Sequence, residues 1–472
     1  MNLTQLTDKL NAVEEYERER VPERKLRSSK SFLGLYAGEH TAGTEFVIGP
    51  LFVAHGVSAG DLVLGLLVGN VLAVLSWAFL CAPIAVKERI TLYYKLEKIC
   101  GPRLTKVYNL VNALMFCFLA GSMIAVSATA VGIPFNLPLP TLQDILPNSA
   151  LWIGIVLVVG LVTTIIAMLG YDLVSYVANL AAPWLFLVFV AAAVAVLPEA
   201  GVTSIGDFWS VANDKIWTGV PLEGQSKFTF WHVMFFSWFC NMAMHIGMAD
   251  MSVLRYARSW KAGFTSGAGM LLGHYIAWGA SGILYAIFLQ QAANKLEFSP
   301  GPVAYYAAGL AGVICVVIAG WTTANPTIYR AGLALQSWYP KWKTWKITLL
   351  VGLITTSAAM FPALVMRLLD FVALYGLLLM PMGAIIFSDV YLLPRLGLSE
   401  EYARKKGLYI NWAAGLTWVL TLAFCLVLNW VFGIEIFFLG LPGWFVAVGL
   451  YLVMSKVFQS SKAKVSHTVD VI

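Results

Sequence analysis

Twelve apolar stretches, each close to the roughly 20 residues that a helix needs to cross a bilayer, leave this chain little choice of fold. They fall at 32 to 56, 61 to 86, 107 to 132, 151 to 171, 173 to 198, 229 to 254, 262 to 292, 302 to 325, 346 to 366, 368 to 394, 409 to 432 and 434 to 457. With 59% hydrophobic and 12% charged residues and a mean hydropathy of +0.77, the 472-residue chain is too apolar to be water-soluble. The expected class is an all-α polytopic membrane protein with about twelve transmembrane helices, numbered here as spans 1 to 12.

The basic residues test this count, because one missed span would scramble every later loop. With a cytoplasmic amino terminus, 27 of the 31 Lys and Arg residues fall inside, and only Lys215, Lys227, Lys295 and Arg367 fall outside. Both termini are therefore expected in the cytoplasm, with 211 to 225 outside, and the net charge of +6 reads as orientation in an anionic membrane. Nucleic-acid binding is not expected, nor is an obligate protein partner. Cys81, Cys100, Cys117, Cys240, Cys315 and Cys425 are scattered, without the spacing of a zinc site or a disulfide framework. The tail of residues 1 to 31 is mixed in charge and shows no chemistry. The stretch from Lys87 to Cys100 is expected along the inner surface, and Asp389 and Glu435 receive no role.

Two spans carry polar interruptions. In span 1 the run from Gly38 to Pro50 sets Glu39, His40 and Glu45 among Gly43, Gly49 and Pro50. An ionisable group at membrane depth costs roughly 2.5 kcal/mol or more unless it is paired or lines a polar cavity. Glycine and proline weaken the helix that would otherwise hide these groups. Glu45 is therefore expected in an unwound segment. Span 6 holds Trp238, Cys240, Asn241, His245, Gly247 and Asp250 at its centre. Breaks five spans apart suit an inverted repeat, since an odd number of spans turns the second copy upside down. The expected organisation is a cytoplasmic tail (1–31), a first five-helix repeat (32–198), a second (229–394), two added helices (409–457) and a second cytoplasmic tail (458–472).

The strongest local signal is Gly320-Trp321-Thr322-Thr323-Ala324-Asn325 in span 8, followed by Tyr329 and Ala331-Gly332-Leu333. Here the chain resembles the cytosine permeases of the nucleobase:cation symporter family. Asp61 with Gly69-Asn70, and the run from Pro381 to Asp389, agree with the resemblance, which covers most of spans 1 to 10 in patches. It implies a leucine-transporter-like 5+5 inverted repeat with broken helices 1 and 6, and alternating access. It also implies cation-coupled uptake of a small polar solute, a nucleobase or related heterocycle, at the cytoplasmic (inner) membrane. No cofactor is implied beyond Na+ as the coupling ion, held by the Thr322 and Thr323 hydroxyls and the carbonyls of Ala319, Gly43 and Phe46. Proton coupling through Glu45 is the alternative.

The substrate positions depart from the family. Ala319 stands where the permeases carry an amide, the span-3 aromatic falls at Met115 or Phe116, and Glu45 has no counterpart. The candidate substrate set is Glu45, Phe116, Trp238, Asn241, His245 and Asn325. Set against it are plain structural readings, in which the threonines bond carbonyls one turn back and the aromatics are core. An amine-bearing metabolite or vitamin is the alternative solute. An intramembrane enzyme or sensor using Glu39, His40, Glu45 and His245 is the alternative class. No phosphate-binding loop or nucleophile elbow is present, so neither ATP-driven nor enzymatic chemistry is expected.

Overall fold

The computed structural model describes residues 8, 10–135, 137, 140, 144–147, 149–291, 300–363 and 368–469. Lys295, Arg367 and the expected ends of spans 7 and 9 lie outside the described residues. Among the described residues, nine helices are long and apolar enough to cross a membrane, including Ala59–Glu88, Pro102–Phe135, Gly170–Ala200, Trp260–Gln290 and Pro300–Leu335. The shorter helix Thr344–Ala359 and two broken spans bring the total to twelve.

Span 1 is two helices, Lys30–His40 and Glu45–Ala54. The break is shorter than expected and covers residues 41 to 44, with Gly49 and Pro50 inside the second helix. At the break the Ala37 carbonyl accepts both the Thr41 N–H (3.0 Å) and the Thr41 hydroxyl (2.7 Å), which together cap the first helix. A Cβ on Gly43 would lie 2.5 Å from Val126 in span 3. Gly49 serves close packing: a Cβ there would lie 2.3 Å from the Trp278 carbonyl of span 7. Glu45 is thus the first residue of the second helix rather than part of an unwound stretch.

Span 6 runs as Phe230–Phe239, a short turn Met242–His245 and a final turn Met251–Leu254. Between the last two, Met248 takes φ 62°, a left-handed conformation that a side chain rarely adopts. Spans 3 and 8 pack along each other, span 1 packs against 5 and 7, and span 6 against 10 and 2. Exchanging spans 1–5 with 6–10 maps this set of pairings onto itself. Apart from isolated bridges such as Arg27 with Ala257, the described residues contain no β structure.

Three sequence expectations are corrected. Span 8 continues to Leu335, ten residues past its expected end, so Arg330 is a core residue with no exposed surface and not a loop charge. Arg255 is likewise fully buried. The amino-terminal tail is not idle: Glu15 accepts from Tyr256 (2.8 Å) and Tyr329 (2.5 Å) and pairs with Arg255 at 3.5 Å. Asp389, given no role, accepts from the Glu401 N–H and from the Tyr451 hydroxyl. Leu92–Cys100 is a helix that buries Leu92, Leu96 and Ile99 and pairs the buried Lys95 with Glu401 at 2.8 Å.

Candidate functional site: a cavity between the broken spans

Both breaks border one cavity. Its walls come from span 1 (Glu39, His40, Ala42, Thr44, Glu45), span 6 (Phe236 and Phe239 to Met244), His274 of span 7 and Thr323 of span 8, with contributions from spans 3, 10 and 12. Glu45 and His274 are both almost fully buried. Glu45 reaches its place because the second half of span 1 packs tightly on span 7. There Ser281 Oγ donates to the Glu45 carbonyl (2.6 Å), and the Trp278 indole N–H donates to carboxylate oxygen Oε2. His274 lies one turn before Trp278, so their rings stack at 4.2 Å and 14°. Its Nε2 stands 4.0 Å from Glu45 Oε1 and 3.3 Å from the Asn241 amide nitrogen. Glu45, His274 and Asn241 thereby meet from three spans.

The expected site residues sort by position. Glu45 and Asn241 line the cavity. Trp238 lies beside it, stacked on Phe239 at 4.6 Å, with its N–H on Ser76 (3.0 Å). Phe116 is buried against Tyr375, ring centroids 5.3 Å apart. His245 Nε2 meets the Trp238 carbonyl at 3.0 Å while its ring lies 4.5 Å from that of Trp77. Asn325 is buried with no hydrogen-bond partner for its amide among the described residues. His274 is the cavity residue that sequence reasoning missed. Its signal was the one used for span 1, an ionisable group inside an apolar helix.

Beside the cavity, the Thr322 hydroxyl is 2.8 Å from the Gly38 carbonyl and the Thr323 hydroxyl 3.0 Å from that of Glu39. Both hydroxyls are 3.1 Å from the Ala319 carbonyl. Two hydroxyls and three carbonyls thus converge where spans 1 and 8 touch, a set of hard oxygen donors that fits Na+. The span-1 carbonyls they meet belong to Gly38 and Glu39. Gly43 sits farther along span 8, with its Cβ position 3.8 Å from the Val316 carbonyl, and the Phe46 ring stacks on Phe189 at 4.5 Å. The described residues hold no cluster of His, Cys, Asp and Glu suited to a transition metal.

Below the cavity, on the side of the amino-terminal tail, Arg330 joins the broken spans. Its guanidinium pairs with both oxygens of Glu39 in span 1 and, at 2.7 Å, with Asp250 in span 6. Asp250 also accepts from Tyr36 (3.0 Å) and Trp77 (2.6 Å). Two carboxylates and one guanidinium leave this cluster one negative charge in excess. Of the four residues of the enzyme-or-sensor alternative, Glu39, His40 and Glu45 line the cavity, with Glu39 engaged in an ion pair, and His245 lies outside the lining.

No model of a known protein family matches the chain, and no curated protein sequence matches it. Solved structures do. Mhp1, described as a nucleobase-cation-symport-1 family transporter, in a closed conformation with bromovinylhydantoin bound, superposes with a TM-score of 0.71 at 17% identity, over 94% of this chain and 96% of that one. A Na+-coupled sialic acid symporter in a substrate-bound outward-open state gives 0.70 at 14% identity over 96% and 94%. The inward-facing conformation of Mhp1 gives 0.67 at 16% over 92% and 91%. At these identities the likeness is one of fold, and the chain is a multi-pass helical membrane protein with the fold of these transporters.

Proposed function

We propose that the protein is a secondary active transporter that couples a cation gradient to uptake of a small solute, and not an enzyme. The observation that carries this reading is the single cavity bordered by both broken spans, in which a buried carboxylate and an imidazole face apolar walls. Discontinuous helices at the membrane midplane are how this architecture supplies backbone and side-chain groups to a solute and an ion. The structural neighbours are described as a nucleobase-cation symporter and a Na+-coupled symporter, which supports the same reading.

Na+ is the proposed coupling ion, with Thr322, Thr323 and Ala319 as its span-8 oxygens and Gly38 and Glu39 carbonyls added to the expected Gly43 and Phe46. The excess negative charge of the Glu39, Asp250 and Arg330 cluster favours a cation nearby. A nucleobase or related heterocycle is the proposed solute class, with Glu45 and Asn241 as its contacts; Phe116, Trp238, His245 and Asn325 are proposed to act from behind the cavity wall. The two five-helix repeats are the proposed moving units. We place the protein in the cytoplasmic membrane with both termini inside.

Counterflow in proteoliposomes tests the central reading: a transporter exchanges labelled solute for unlabelled without altering it, and chemical conversion of the solute would overturn it. Orientation is tested separately by a cysteine at the exposed Ser28, which should resist impermeant reagents added outside intact cells.

A further inference from the structure

The charge balance of the cavity bears on the solute. Two carboxylates, Glu39 and Glu45, line it, and no lysine or arginine does. Glu39 shares the Arg330 guanidinium with Asp250. Glu45 has no Lys or Arg partner among the described residues: its Oε2 accepts from an indole, its Oε1 lies 4.0 Å from the His274 ring, and its further hydrogen-bonding neighbours, the Thr44 side chain and the Ala42 backbone, carry no charge. The other titratable groups around this corner do not supply a counter-charge. His40 spends Nδ1 on the Tyr36 carbonyl (2.8 Å), and its ring is 5.0 Å from that of His274. Two adjacent imidazoles oppose each other's protonation. The Asn241 amide nitrogen lies 3.3 Å from His274 Nε2, which leaves Nδ1 as the other ring nitrogen. That atom has no hydrogen-bond partner among the described residues. A buried carboxylate without a counter-charge and a buried imidazole nitrogen without a partner stand at the same end of the cavity. Most of the remaining wall is apolar, with Leu119, Met123, Phe236, Phe239 and Phe437, and its other polar groups, such as Thr323, Thr327 and Tyr375, are uncharged hydroxyls.

We infer that Glu45, His274 and Asn241 form a recognition end for a small organic monocation, a protonated amine or amidinium on a compact apolar or aromatic body. The inference rests on the transporter reading and sets a cationic solute in place of the neutral nucleobase named above. A cationic N–H group supplies both the charge that Glu45 lacks and donors for its free oxygen. An anion meets two carboxylates here, and a neutral heterocycle leaves Glu45 uncompensated.

The test uses the full-length protein in nanodiscs in potassium buffer. Thermal shift is titrated with benzylamine, 2-phenylethylamine and benzamidine, against benzyl alcohol, 2-phenylethanol, benzamide and benzoate as charge-altered isosteres, and against cytosine and uracil. At least one cation should stabilise the protein with a half-saturation about tenfold or more below that of its neutral isostere, the range for a desolvated ionic contact. Glu45→Gln should bring the two within about twofold, and His274→Asn should weaken the cation less than Glu45→Gln does. Equal binding of neutral isosteres or of cytosine, silence of the whole cation series, competitive displacement by Na+, or an unchanged preference in Glu45→Gln would each overturn the inference. If Glu45→Gln fails to fold, the isostere comparison in the unaltered protein decides alone. Counterflow separates the two claims. Exchange of cytosine but not of amines sinks the inference and leaves the transporter; saturable amine binding without exchange does the reverse.

Discussion

The two ends of the broken spans are held by different physics. On the tail side, the halves of spans 1 and 6 are tied by buried ion pairs: Arg330 to Glu39 and Asp250, and Arg255 to Glu15. On the far side the corresponding halves meet through aromatic rings. Phe52 lies edge-on to Phe236 at 5.5 Å, and Phe236 lies 5.8 Å from both Trp278 and Phe437. A buried ion pair has one good geometry, and breaking it strands a charge in low dielectric. Ring contacts accept several favourable arrangements, edge-on or offset-stacked, and so tolerate sliding, with pair terms of about 0.5–1.5 kcal/mol. In the proposed transport cycle, the tail side therefore opens by an all-or-none exchange of partners, whereas the far side opens by gradual repacking.

The sharpest way to break this contrast is Arg330→Met. Removing the guanidinium takes the ion pair from both carboxylates, and Tyr36 and Trp77 still donate to Asp250 alone. The expected loss is about 3–5 kcal/mol, the usual cost of orphaning a buried charge. It is read as a large fall in melting temperature in detergent. Arg330→Met combined with Glu39→Gln and Asp250→Asn should recover much of it, because no unpaired charge remains. A triple variant as unstable as the single one would show that Arg330 acts by packing rather than by charge.

Next in size is Gly49→Ala. Its Cβ would stand 2.0 Å from Ser281 Oγ and 2.3 Å from the Trp278 carbonyl. The carbonyl belongs to a helix backbone and cannot rotate away, so the second half of span 1 must shift. Overpacking of this kind costs about 1–3 kcal/mol, and the shift should displace Glu45 along with stability. Gly60→Ala in span 2, where a Cβ meets nothing within 4 Å, is the control and should be near neutral.

Smaller still is Glu15→Gln. Arg255 keeps the carbonyls of Ser252 and Tyr16 and the Tyr329 hydroxyl as acceptors, so the loss is about 1–2 kcal/mol. Its informative readout is access: a cysteine at Ala257 should react faster with a reagent applied on the tail side. Unchanged labelling would mean that the tail covers this end without holding it shut.

How much of this was legible depended on how local each signal is. The break in span 1 and the paired threonines of span 8 could be read because an ionisable, glycine-containing or hydroxyl-rich patch inside an apolar run contrasts with its own neighbours. His274 obeys the same rule but stands alone in its helix, with no second polar residue within two positions to mark it. Arg330 and Arg255 were misassigned for a reason built into the loop-charge rule. It assigns every arginine beyond the apolar run to a loop, and it cannot register that a partner such as Glu39, 291 positions away, extends the helix inward. The tail was unreadable for the same reason. Glu15 bonds Tyr329 across 314 positions, and nothing around residue 15 differs from an ordinary solvated stretch. Trp238 and Phe116 were chosen by residue type near a break, yet position on the helix face decides which side chains reach the cavity, and Phe236 and Phe239 hold that face.

The finest test of the contrast is Thr323→Ala, between the two regions, where the ion-paired side meets the cavity. The Thr323 hydroxyl spans two carbonyls, Glu39 of span 1 and Ala319 of its own helix. Removing it deletes one inter-span hydrogen bond, worth about 0.5–1.5 kcal/mol net, and the Ala319 carbonyl keeps the Thr322 hydroxyl at 3.1 Å. Stability should therefore barely change. If the hydroxyl is also an ion ligand, one of five converging oxygens is lost, and Na+ should stimulate binding or uptake only at several-fold higher concentration. Thr323→Ser, which keeps the hydroxyl and drops the methyl, should restore the original Na+ dependence. A Thr323→Ala protein with unaltered Na+ dependence and a measurably lower melting temperature would mean that the hydroxyl is only a strut between spans 1 and 8. The oxygens at this junction would then belong with the ion pairs of the tail side rather than with the cavity.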